Sequence, residues 1–147
     1  MSLNEQLTAD LKAAMKAKNK TQLNVIRMIK SALMNAKIQK GSDLSNEDEL
    51  QVITTEMKQR KDSLSEFEKA GREDLVAEIK AEIEVVEKYL PAQLSDDELS
   101  NVIQATITEI GATSMKDMGK VMSTLMPKVK GRADGGKVNQ VVKQLLS

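Results

Sequence analysis

Apolar residues return every three or four positions along nearly the whole chain, and strict alternation persists nowhere. That period predicts helices and no sheet. Ser2 and Glu5 form an S-x-x-E capping box ahead of Leu3, Leu7, Leu11 and Met15, a stripe at one-turn spacing. Asn19-Lys20-Thr21 reads as a short break. The next helix carries Leu23, Val25, Ile26, Met28, Ile29, Ala32, Leu33 and Ala36, a wide apolar face that should be well buried. Gly41-Ser42-Asp43 ends it, and Ser45 with Asp48 offers a new N-cap.

Leu50, Ile53, Met57, Arg60, Leu64 and Phe67 then step by three and four, and Ala70-Gly71 marks a tight reversal. Leu75, Ile79, Ile83, Val86 and Leu90 repeat the seam, so this stretch predicts an antiparallel helical hairpin. Arg60 interrupts the first seam, and its expected place is the seam edge, with its stem laid over apolar surface. Pro91 stops the pattern, because the residue before proline avoids helical geometry. Ser95-Asp96-Asp97-Glu98 opens a helix bearing Leu99, Val102, Ile103, Thr106 and Ile110, its acids favoured by the helix dipole. Gly111 closes it. Ser114 starts another helix with Met115, Met118, Met122 and Leu125, and Pro127 and Gly131 bound a loop. Val138, Val141, Val142 and Leu145 form the last helix. The expectation is an all-α fold: N-terminal helical hairpins of four helices over 1–90, then a compact three-helix domain over 91–147.

Composition narrows the chemistry. The 147 residues contain no Cys and no His, which excludes disulfides, histidine- or cysteine-based zinc sites and Ser-His-Asp catalysis. With one Tyr, one Phe and no Trp, an aromatic base-stacking platform cannot be built. No apolar run approaches membrane-spanning length and Glu5 opens the chain with an acid, so neither a membrane span nor a leader is expected. Absent cysteines fit a cytoplasmic protein, the expected location. The zero net charge is segmented. Residues 1–40 carry +6, 41–90 carry −7, 91–115 hold four acids and no base, and 116–147 carry +5. Such blocks either neutralise one another across packed helices or leave local fields.

Gly131-Arg132-Ala133-Asp134-Gly135-Gly136-Lys137 satisfies G-x-x-x-x-G-K, the core of a phosphate-binding loop. That loop requires a following Ser or Thr for magnesium and a preceding strand. Here Val138 follows and Met-rich helix precedes, so nucleotide hydrolysis is not expected. Gly135-Gly136 can still present backbone amides at a positive helix start, ringed by Lys128, Lys130, Arg132 and Lys137. This is either a seat for nucleic-acid phosphate or a solvated basic turn. Gly119 stands inside a predicted helix, where glycine costs about 1 kcal/mol against alanine, which points to close approach of a neighbouring helix or a ligand. The Met115, Met118, Met122, Met126 cluster is either core filler or an adaptable surface. No nucleophile has a base beside it, and the acids of 41–90 pair with Lys and Arg one turn away, as Glu84 with Lys88. No catalytic residue, metal or cofactor is expected.

Lys58-Gln59-Arg60-Lys61-Asp62-Ser63, Ala70-Gly71-Arg72-Glu73-Asp74-Leu75, Glu87-Lys88-Tyr89-Leu90-Pro91-Ala92-Gln93-Leu94-Ser95, Met118-Gly119-Lys120-Val121-Met122 and Gly131-Arg132-Ala133-Asp134-Gly135 occur in this order. Together they resemble the YqeY-like family of small, mostly bacterial helical proteins. From about Tyr89 onward the chain is similar to the tail domain of the B subunit of glutamine-dependent aminoacyl-tRNA amidotransferase. The resemblance implies tRNA as partner, contacted through Lys116, Lys120, Lys128, Lys130, Arg132, Gly135, Gly136 and Lys137. It also implies association with a carbon–nitrogen ligase using glutamine as amide donor, although the domain that performs that chemistry is missing. The leading expectation is therefore a tRNA-associated accessory module without independent catalysis. Its alternatives are an amidotransferase-linked activity with other subunits and a protein-interaction adaptor, with a protein partner in tRNA aminoacylation or amidation.

Overall fold

The computed structural model describes residues 2–147; Met1, the first residue of the segment read as lacking a leader, lies outside them. Among the described residues there are seven α-helices, one 3-10 turn and no strand, as the apolar period requires. No helix among them is long and apolar enough to cross a membrane. The chain divides into two compact units, Met1–Leu90 and Pro91–Ser147.

The first unit holds α1 (Leu3–Ala17), α2 (Lys20–Lys40), α3 (Asn46–Lys69) and α4 (Glu73–Glu87). Both arms of the Ser2 capping box form: Glu5 N donates to Ser2 Oγ at 3.2 Å, and Ser2 N to Glu5 Oε2 at 3.4 Å. The break after α1 falls at Lys18–Asn19, a residue earlier than expected. Lys18 takes a left-handed φ of 55°, and the Asn19 side chain caps α2 by accepting from Gln22 N at 3.1 Å. α3 opens on a second box, in which Asp48 Oδ2 accepts from Ser45 N and from Lys40 Nζ at 2.5 Å. The Lys40 bond, with the Ser45 amide and hydroxyl, pulls the Asp48 carboxyl down to about 2. Leu7, Val25, Ile26, Ile29, Ile53, Met57, Val85 and Val86 build the core, to which all four helices contribute. Each such burial is worth about 1.5–3 kcal/mol, so packing rather than propensity holds these helices.

Two side chains there behave unlike simple core. Arg60 does not lie at the seam edge; it is 4% exposed. Its Nη1 donates to Glu56 Oε2 at 2.7 Å, its Nε lies 3.3 Å from Glu82 Oε1, and its Nη2 donates to Met28 Sδ at 3.4 Å. Three helices thus enclose the guanidinium, leaving it no route to solvent along its stem. Tyr89, just past α4, buries its ring and donates to Asp10 Oδ2 at 2.6 Å, tying the end of α4 to α1. Burial and, after it, the Asp10 carboxylate push the phenol's pKa up.

The second unit holds α5 (Asp96–Ile110), a 3-10 turn (Met115–Asp117), α6 (Met118–Val129) and α7 (Gly135–Leu146). Its core is Leu99, Ile103, Ile107, Val121, Leu125, Val129, Val138, Val142 and Leu146. Ser114 opens the 3-10 turn rather than an α-helix. Pro127 does not bound a loop but lies in the last turn of α6, which continues because Val129 enters the core and Lys130 N donates to Met126 O at 2.9 Å. Leu146 replaces Leu145 as the last core residue of α7. The methionine cluster splits: Met118 and Met122 pack against the core, while Met115 and Met126 are exposed.

Candidate nucleic-acid interface

The loop between α6 and α7 is shaped by a glycine that must reverse the chain. Gly131 has φ +75° and is buried, a conformation that side-chain-bearing residues rarely adopt. With the chain turned there, the backbone of Gly131 and Arg132 meets the segment after Pro91. Gln93 Nε2 donates to Gly131 O at 2.7 Å, and Leu94 N donates to Arg132 O at 2.8 Å. Arg132 Nε returns a bond to Ala92 O at 3.1 Å, and Gln93 Nε2 also reaches Pro91 O at 3.0 Å. Two segments about forty positions apart therefore form one hydrogen-bonded clasp, and Lys137 Nζ adds an ion pair with Asp96 at the start of α5.

This clasp gathers Arg132, Gly135, Gly136 and Lys137 at the start of α7, but not as a bare anion seat. Asp134 caps α7, its Oδ2 accepting from Lys137 N at 3.2 Å, so a carboxylate already occupies part of the positive helix end. A methyl group built on Gly136 would stand 3.2 Å from that oxygen. The amides of Gly135 and Gly136 make no hydrogen bond among the described residues. Two of the expected ring of cations are paired with acids at the surface. Lys137 faces Asp96, and Lys128 Nζ donates to Glu109 Oε2 at 3.0 Å and Thr106 Oγ1 at 3.1 Å on α5. Arg132 is engaged through Nε in holding the clasp. Lys116, Lys120, Lys130 and Lys143 have no acidic partner among the described residues, so their charge is free to act on solvent.

Gly119 is not a point of close approach. It lies in the first turn of α6, and a Cβ built there meets nothing within 4 Å. No neighbouring helix explains the glycine, and its surroundings are open. Asp96 is expected only as a capping acid, Ala92 and Gln93 only as family motif residues, and Glu109 not at all, yet these four set the loop and its charges. Their partners are 19 to 41 positions away, beyond any spacing rule. Among the described residues no three carboxylates gather as a metal site.

These clasped segments contain the Leu90-Pro91-Ala92-Gln93 and Gly131-Arg132-Ala133-Asp134-Gly135 motifs, and the family model described as Yqey-like protein matches residues 4–146. The chain belongs to the YqeY-like family. It is similar to a protein named altered inheritance of mitochondria protein 41, mitochondrial, in several fungi. Identity is 31% over 87% of this chain with that of Pyrenophora tritici-repentis, and 36% over 76% with that of Clavispora lusitaniae. With that of Saccharomyces cerevisiae it is 36% over 57%. The matches span 71%, 66% and 46% of those relatives' own lengths. Their names correct the expectation of a cytoplasmic location: these members of the family are mitochondrial by name. Missing cysteines and missing apolar spans carry no address, so they could not have told one compartment from the other.

Proposed function

We propose that this YqeY-like chain is a tRNA-associated binding module, related to the amidotransferase B-subunit tail and without catalysis of its own. The observation that carries this reading is the set of lysines around α6, Lys116, Lys120 and Lys130, whose charge no acid in the second unit answers. Arg132 supports it as a positioning residue that sets the loop following Lys130, with its terminal nitrogens still available. Phosphates rather than base edges are the target, because stacking aromatics are lacking and the major groove of A-form RNA is closed to side chains.

Binding is then weakly sequence-dependent and strongly salt-dependent. Each lost phosphate contact lowers the slope of log K against log[salt] by about 0.7–0.9, so the Lys116→Ala, Lys120→Ala, Lys130→Ala triple variant flattens it by roughly two units or more. Lys128→Ala, already neutralised by Glu109, changes it less. Filter retention of folded tRNA across a salt series measures both. Equal slopes for wild type and triple variant, or no wild-type binding at low salt, would remove the reading.

A further inference from the structure

α2 is the most one-sidedly charged helix of the chain. Across Lys20–Lys40 it carries five cations and no anion. Its inner face, Val25, Ile26 and Ile29, is fully buried in the first unit's core. Its outer face is apolar where solvent should be: Met28 is 51%, Met34 64% and Ile38 70% exposed. Steps of three, four and three lead from Met28 through Ser31 and Asn35 to Ile38, and Met34 stands one turn before Ile38, so the three share one side of the helix. Beside Met34 opens a groove of about 670 Å³, lined by Leu33, Met34 and Leu44 together with Lys30, Lys37, Asp43 and Glu49. Single exposed apolar residues need no explanation, but three on one side of a helix, one of them at the lip of a groove, do.

The charge around this stripe is incompletely answered. Lys37 pairs with Asp43 at 3.0 Å and Lys40 with Asp48. Lys30 meets only the Thr8 hydroxyl, at 3.0 Å, and Arg27 has no acidic partner among the described residues. We propose that the outer face of α2 docks an acidic amphipathic helix of a partner protein. The partner's leucine-like side chains enter the groove over Met34 and Leu44, and its carboxylates meet Arg27 and Lys30. Methionine suits such a surface because its unbranched thioether repacks against differently shaped side chains. A bilayer fits it less well. The helix cannot roll its buried face outward, and Ser31 and Asn35 interrupt the apolar stripe that a bilayer would need to be continuous. This surface lies on the other unit from the proposed tRNA contacts and does not depend on them.

The test uses the full chain with isotope-labelled methionine methyl groups. The probe is a synthetic helical peptide with leucine at i, i+3, i+4 and i+7 and glutamate at the remaining positions. The expected result is movement of the Met28 and Met34 methyl signals, while exposed Met115 and Met126 in the second unit stay still. The double variant Met34→Asp, Ile38→Asp should bind the peptide about tenfold more weakly or worse with an unchanged melting curve, both side chains being largely in solvent. The milder Met34→Gln, Ile38→Gln pair should weaken binding in the same direction. Three outcomes would each overturn the proposal: no methyl shift at saturating peptide, equal binding of a peptide with lysine in place of glutamate, or shifts produced by phosphatidylserine vesicles and not by the peptide.

Discussion

Arg60 is the side chain whose environment departs most from what its position along the chain implies. A helix seam that places an arginine every few turns ordinarily lets the stem run to the edge and the guanidinium reach water. Here Met28 of α2, Glu56 of α3 and Glu82 of α4 close around it. A buried ion cluster contributes little over an apolar replacement, yet losing one member strands the others. Arg60→Ala should therefore destabilise the first unit by about 3 kcal/mol, the lower end for a broken buried pair, because both carboxylates keep some contact with water. Arg60→Met retains most of the packing and isolates the charge effect. Urea unfolding at neutral pH followed by circular dichroism measures both. A loss below about 1 kcal/mol for the alanine variant would mean that the guanidinium spends its time in solvent. The seam position itself was legible from the three- and four-residue steps. The burial was not, because Glu82 comes from a different helix and no one-helix pattern announces it.

At the scale of elements, features carried by neighbours in sequence were readable and those carried by distant segments were not. The Ser2 and Ser45 boxes form as their spacing demands, since cap and partner are three residues apart. The Ala70-Gly71 reversal between α3 and α4 likewise follows from local turn chemistry. Pro127 misleads because core burial of Val129 outweighs the hydrogen bond that proline removes. Cations of the α6–α7 loop were legible as residues, while their pairing with Asp96, Ala92 and Glu109 was not. The glycine in the first turn of α6 and the one just past its end now separate by mechanism. Gly119 sits at ordinary helical φ with open space around it, so Gly119→Ala should stabilise the second unit by about 0.4–1 kcal/mol. Gly131 sits at φ +75° in the clasp, so Gly131→Ala should destabilise it by about 1 kcal/mol or more. Denaturant midpoints of the two variants should move in opposite directions. A destabilising Gly119→Ala would restore a close-approach role for that glycine.

At the scale of the whole molecule, each core is complete within its own stretch of chain. Every residue of the first core lies between Leu7 and Tyr89, and every residue of the second between Leu99 and Leu146. Hydrophobic stabilisation follows buried contacts, so a cavity in one core is felt where its neighbours are. Ile26→Ala, in the first, should therefore lower the opening free energy of the slowest-exchanging amides of α2 and α4 by about 2–5 kcal/mol. The slowest amides of α5 and α7 should change by less than about 0.5 kcal/mol, the additivity expected of sites without shared partners. Ile103→Ala should do the reverse. With only 57 residues, the second unit is also the smaller and should set the lower of the two opening free energies, since short chains bury a smaller share of their surface. Native-state hydrogen exchange on the full chain resolves both in one experiment. If Ile26→Ala lowered protection equally in α2 and α7, the stretches before and after Pro91 would unfold as one cooperative body, and contacts made at one end of the chain would then be felt in the stability of the other.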